Sequence, residues 1–145
     1  MMNNDEFHGK FDEQELFTGY SMMKFKNGNK YHGDFVAGKM EGQGVMRYRC
    51  GNKFTGQFRD GEIHQGEMIY EADNESYVGT FVNGDHEGPG MYKYFNGEIY
   101  DGNWKDGLMH GTGLVSYPDG SEFFGKFEEG TKVDGKFVYA NGDVF

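Results

Sequence analysis

From Tyr100 the chain alternates, with Tyr100, Gly102 and Trp104 on one set of positions and Asp101, Asn103 and Lys105 on the other. This period of two predicts a strand with one apolar face. The pattern recurs at Tyr31/Phe35, Phe54/Phe58, Tyr77/Phe81 and Phe123/Phe127, each copy opening 23 residues after the last. A fixed period of this size marks a repeat architecture. A less regular copy opens at Phe7, and another is cut off at its first residue, Phe145.

Within each copy a glycine separates the two rings on the same side of the strand: Gly33, Gly56, Gly79, Gly102 and Gly125. It predicts a place where a ring crosses the backbone, and a source of bending. The strand then meets a turn dipeptide (Ala37-Gly38, Asp60-Gly61, Asn83-Gly84, Asp106-Gly107, Glu129-Gly130), whose glycine can take positive φ. A short glycine-containing loop follows, as in Gly42-Gln43-Gly44 and Gly111-Thr112-Gly113, and then a second alternating run. Its aromatic recurs as Phe25, Tyr48, Tyr70, Tyr94, Tyr117 and Tyr139. Asn27-Gly28, Cys50-Gly51, Asn96-Gly97, Asp119-Gly120 and Asn141-Gly142 close the units, and Asn-Gly or Asp-Gly between alternating runs is a strong hairpin signal. The copies opening at Phe54 and Phe123 keep a single loop glycine, Gly66 or Gly135, which predicts a first loop one residue shorter.

The run Tyr100, Gly102, Trp104, Gly107, His110, Gly111, Gly113 resembles the MORN repeat (membrane occupation and recognition nexus), and the resemblance extends over residues 7–145. The expected fold is all-β: an elongated, single-layer antiparallel meander of about six 23-residue hairpins, opening at residues 7, 31, 54, 77, 100 and 123, behind a short tail at 1–6. Twelve strands at ~4.8 Å each predict a sheet on the order of 55 Å long. A repeat protein is stabilised by stacking each unit on the next, so 25 glycines and a mean hydropathy of −0.80 do not preclude folding as one elongated domain.

The net charge of −10 is unevenly distributed: residues 24–59 carry eight Lys or Arg against two acids, and residues 60–145 five against seventeen. Lys24 and Lys26 flank Phe25 as Arg47 and Arg49 flank Tyr48, so these four project from the non-aromatic face as a solvated face or an anion patch. The acidic balance argues against nucleic acid as a partner. The lone Cys50 excludes an internal disulfide and points to a reducing, cytoplasmic setting. No apolar run is long enough to span a bilayer.

The five histidines, His8, His32, His64, His86 and His110, read as turn residues of the repeat, and no Cys/His cluster has metal-ligand spacing. No Gly-x-Gly extends to a phosphate-binding fingerprint, and no nucleophile stands with a base. The expectation is no active site, no metal and no cofactor.

What remains is the aromatic face. If each of 18 strand rings kept ~50 Å² exposed, roughly 900 Å² of apolar surface would need cover, above the few hundred Å² usual for a soluble monomer. The chain has no amphipathic helix to supply it. The face is therefore read as a groove for a partner's amphipathic helix or extended segment, or for a second copy. Its candidate lining is Tyr31, Phe35, Tyr48, Phe54, Phe58 and Tyr77, continuing through Phe81, Tyr94, Tyr100, Trp104, Tyr117 and Phe127. The family resemblance implies a non-catalytic scaffold of cytoskeleton, cilium or membrane-junction assemblies. Two alternatives stand beside it: a peripheral module contacting phosphoinositide or anionic membrane through Lys24, Lys26, Arg47 and Arg49, and the targeting segment of a larger enzyme.

Overall fold

A computed structural model describes residues 6–8 and 18–141. Its contacts divide the chain into two units, residues 1–72 and 73–145. In the first, β1 (Glu6–His8), β2 (Gly19–Lys24), β3 (Lys30–Val36), β4 (Lys39–Arg47), β5 (Lys53–Arg59) and β6 (Glu62–Tyr70) form an antiparallel meander, each strand paired with its neighbours in sequence. The second repeats the plan with β7 (Glu75–Val82), β8 (Asp85–Lys93), β9 (Ile99–Lys105), β10 (Leu108–Ser116), β11 (Glu122–Glu128) and β12 (Thr131–Val138). A single 3-10 turn, Glu71–Asp73, lies between β6 and β7. The all-β meander expected from the alternation is the fold found. The irregular turn of the first copy, Asp12 to Glu15, lies outside the described residues, as does Phe145.

The dipeptide turns place both residues at positive φ, for example Asp106 at 52° and Gly107 at 83°. This is a type I′ turn, whose twist matches that of the strands it joins. The expected glycine loop is not a loop. Gly42 to Gly44 lie inside the nine-residue strand β4, where the register slips between Gly33/Gly44 and Phe35/Met40. Gly42, Gly88 and Gly111 take φ of 72–77° there, so the extra residues are absorbed as a bulge within the ladder. Opposite β5 and β11 the bulge is one residue smaller, because Gly66 and Gly135 stand alone.

Bonds between successive repeats tie the turns together. The Gly61, Gly107 and Gly130 amides donate to the carbonyls of Met40, His86 and Met109 at 2.9–3.0 Å. A side chain from the preceding repeat caps the other turn residue, Glu41 accepting from the Asp60 amide and Glu87 from the Asp106 amide, both at 3.0 Å.

Candidate functional site

Each opening ring is bedded on two glycines. Gly102 on β9 faces Gly113 on β10, and the Tyr100 ring lies across the pair. The same arrangement sets Tyr31 over Gly33 and Gly44, and Tyr77 over Gly79 and Gly90. The three hydroxyls then reach backbone carbonyls three residues on: Tyr31 donates to Asp34 at 2.7 Å, Tyr77 to Thr80 at 3.0 Å and Tyr100 to Asn103 at 2.8 Å.

From this bed the opening ring meets the second ring of its own repeat and the second ring of the next, both edge to face. Tyr31 lies 5.1 Å from Phe35 and 4.8 Å from Phe58. In the second unit Tyr77 contacts Phe81 and Trp104, and Tyr100 contacts Trp104 and Phe127, at 5.0–5.5 Å. Such perpendicular contacts suit the ring quadrupoles and add ~0.5–1.5 kcal/mol each to the burial term. Trp104 Nε1 also donates to the Gly90 carbonyl at 3.2 Å.

This zipper overturns most of the expected groove lining. Tyr31, Phe35, Phe54, Phe58, Tyr77, Phe81, Tyr100, Trp104 and Phe127 are all at most 6% exposed. They form the core of the sheet's ring face. The ~50 Å² allowed per ring was too large because a glycine bed hides one face of an opening ring and perpendicular neighbours hide much of the rest.

Tyr48, Tyr94 and Tyr117 are half-buried, as are Phe25 and Tyr70 at the equivalent positions of their own copies. They stand at the ends of the second strands, one hairpin end away from the zipper, and make the accessible part of the ring face in each unit. Burial raises the phenol pKa of Tyr48 and Tyr94, and pushes Tyr70 up to about 12, so all three stay neutral at physiological pH. In the second unit a cavity of about 230 Å³ opens between Tyr94, Tyr117, Lys132 and Glu98, with Tyr100 and Phe127 among its lining. Lys132 Nζ donates to Tyr117 Oη at 2.7 Å and lies 4.9 Å from the centre of the Phe123 ring. A larger hollow of about 480 Å³ lies on the opposite face beside Phe124, Lys126 and Lys136, away from the aromatic row.

Two residues of the ring face escaped the sequence reading. Met40, Ile63, His86, Met109 and Lys132 form one column of the repeat, each the second residue after the first turn. His86 is therefore on strand β8 and not in a turn. It stacks on Tyr77 with ring centres 3.8 Å apart, edge-on to Trp104, and burial pushes its pKa down to about 4 against a smaller opposing effect of Asp85. A polar residue in an otherwise apolar column was the available signal for both His86 and Lys132. Lys24, Lys26, Arg47 and Arg49 are exposed; Lys24 and Arg47 lie on the face away from the rings, on strands separated by β3. Among the described residues no group of His, Cys, Asp and Glu could hold a metal ion. No described helix is long and apolar enough to cross a membrane.

The MORN repeat family model matches residues 31–53, 54–64, 77–99, 100–122 and 134–144, more than half of the chain. The protein belongs to the MORN repeat family. Four of the five matched segments begin at Tyr31, Phe54, Tyr77 and Tyr100, where the aromatic alternation opens a copy, and the fifth begins inside the copy that opens at Phe123. Among solved structures, this MORN protein is similar to the TCP domain of Drosophila melanogaster SAS-4 (dCPAP), solved with a proline-rich motif of Ana2 (dSTIL). The TM-score is 0.60 at 15% identity, over 97% of this chain and 75% of that one. At that identity the likeness is one of fold. No curated protein matches the MORN chain in sequence.

Proposed function

We propose that this protein is a non-catalytic scaffold that holds an extended segment of a partner against its ring face. The observation that carries this is the division of the aromatics into two sets. The zipper rings are dry, whereas Phe25, Tyr48 and Tyr70 in one unit, and Tyr94 and Tyr117 in the other, stay half-exposed at one repeated position. Half-exposed tyrosines present a flat apolar body with a polar tip, the surface that receives a polyproline II segment in aromatic-lined grooves. A similar fold solved with a proline-rich motif supports an extended occupant over a helix. The family resemblance points to cytoskeletal, ciliary or membrane-junction assemblies as the setting.

Titration of the protein with a fluorescent proline-rich peptide tests the reading. Binding should weaken at least tenfold in Tyr94→Ser/Tyr117→Ser while the thermal melt remains cooperative. Equal binding by a variant that melts normally removes the ring face as the site.

A further inference from the structure

On the face of the first unit turned away from the rings, the strand register lines up four cations. Lys24 on β2 lies opposite Lys30 on β3, Lys30 opposite Arg47 on β4, and Arg47 opposite Lys53 on β5. Each neighbours a ring-side residue (Met23, Tyr31, Met46, Phe54), so the pleat sends all four to the other side. Lys24, Lys30 and Arg47 are exposed and Lys53 is half-buried. Three strand spacings of ~4.8 Å make a row roughly 14 Å long.

Like charges directly opposite each other on adjacent strands are destabilising. All four positions are basic, and the row ends at β1, where the register partner of Lys24 is the acid Glu6. Beyond the strand ends the chain carries two more cations, Lys26, which already has a partner, and Arg49. The Arg49 amide donates to Asn29 Oδ1 at 2.9 Å, and its aliphatic stem lies over Gly28, where an added Cβ would come within 2.9 Å of Arg49 Cδ. The next row toward the sheet centre, His32, Val45 and Thr55, carries neither Lys nor Arg. The positive charge is thus a stripe and not a field.

We propose that this stripe docks an acidic linear segment of a partner protein, laid across β2 to β5. Carboxylates three and four residues apart on one face of a helix recur at ~5–6 Å, close to the spacing of the four cations. A flat anionic membrane would engage a broad basic plane, which this face lacks, and the net charge of −10 opposes approach to a membrane more than to a short peptide. The site is separate from the ring face and does not depend on what binds there.

The test is fluorescence anisotropy of a labelled decaglutamate peptide with the full chain, beside sedimentation with phosphatidylcholine vesicles containing phosphatidylserine. The peptide should bind, lose affinity steeply with added salt, and bind at least tenfold more weakly to Lys30→Glu/Arg47→Glu. That variant breaks the like-charge row, so its melting temperature should equal or exceed the parent's, which separates lost binding from lost folding. Lys93→Glu/Lys105→Glu, with the same change of charge in the second unit, should bind like the parent. No peptide binding, equal loss in both double variants, or vesicle affinity at or above that for the peptide would each overturn the proposal.

Discussion

The ring of Tyr100 fills the space that a side chain on Gly113 would need. A Cβ at Gly113 would stand 2.3 Å from Tyr100 Cε1, and one at Gly102 would stand 2.5 Å from the Gly113 Cα. Repeat stacking depends on this contact, because the same ring carries Trp104 on one side and Phe127 on the other. Gly113→Ala is therefore expected to cost about 1–3 kcal/mol or more, the range for overpacking a filled core. A chemical denaturation curve measures it. Gly84→Ala provides the contrast: no atom lies within 4 Å, and only its φ of 84° penalises a side chain, so its cost should be about 1 kcal/mol.

The zipper rings and the accessible tyrosines should part company on mutation. Trp104→Ala removes the partner of both Tyr77 and Tyr100 and should cost about 3–5 kcal/mol. Tyr117→Ala, at a half-buried site, should cost less than half of that and be felt in peptide binding. Thermal melts and peptide titrations on the same two variants check the separation.

Protons should destabilise the second unit through His86. Its folded pKa of about 4 lies below the ordinary 6.5, so between these values the unfolded chain binds more protons than the folded one. Stability contributed by the neutral imidazole is complete above pH 6.5 and is lost as pH falls toward 4. Allowing for screening at this half-buried position, the loss is about 1–2 kcal/mol. His86→Met, which installs the residue found at Met40 and Met109, should flatten that part of the acid profile. Urea denaturation of both proteins at pH 7.5 and 4.5 measures the difference.

The carboxylate caps on the turns are expected to act additively. Glu41 and Glu87 each accept one amide hydrogen bond from the following repeat. Glu41→Ala and Glu87→Ala should each lower stability by about 0.5–1.5 kcal/mol, and the double variant by the sum, because the two bonds share no partner. A coupling above ~0.5 kcal/mol in the double-mutant cycle would contradict independence.

By itself the sequence determined the repeat length, the strand pairs, the turns and the side of the strand on which the rings lie. Each follows from local chemistry: a period of two in the side chains, and glycine where φ must be positive. The one-residue difference at Gly66 and Gly135 was legible for the same reason. Only the tertiary structure decided which rings stay wet. Phe81 and Tyr117 occupy equally apolar positions of their strands, yet the first is dry and the second half-exposed, since edge-to-face contact with the neighbouring repeat depends on distances across the sheet that spacing along the chain does not contain. The same holds for Lys30 and Lys53, ordinary strand residues in the sequence that become parts of one positive row only when four strands come into register.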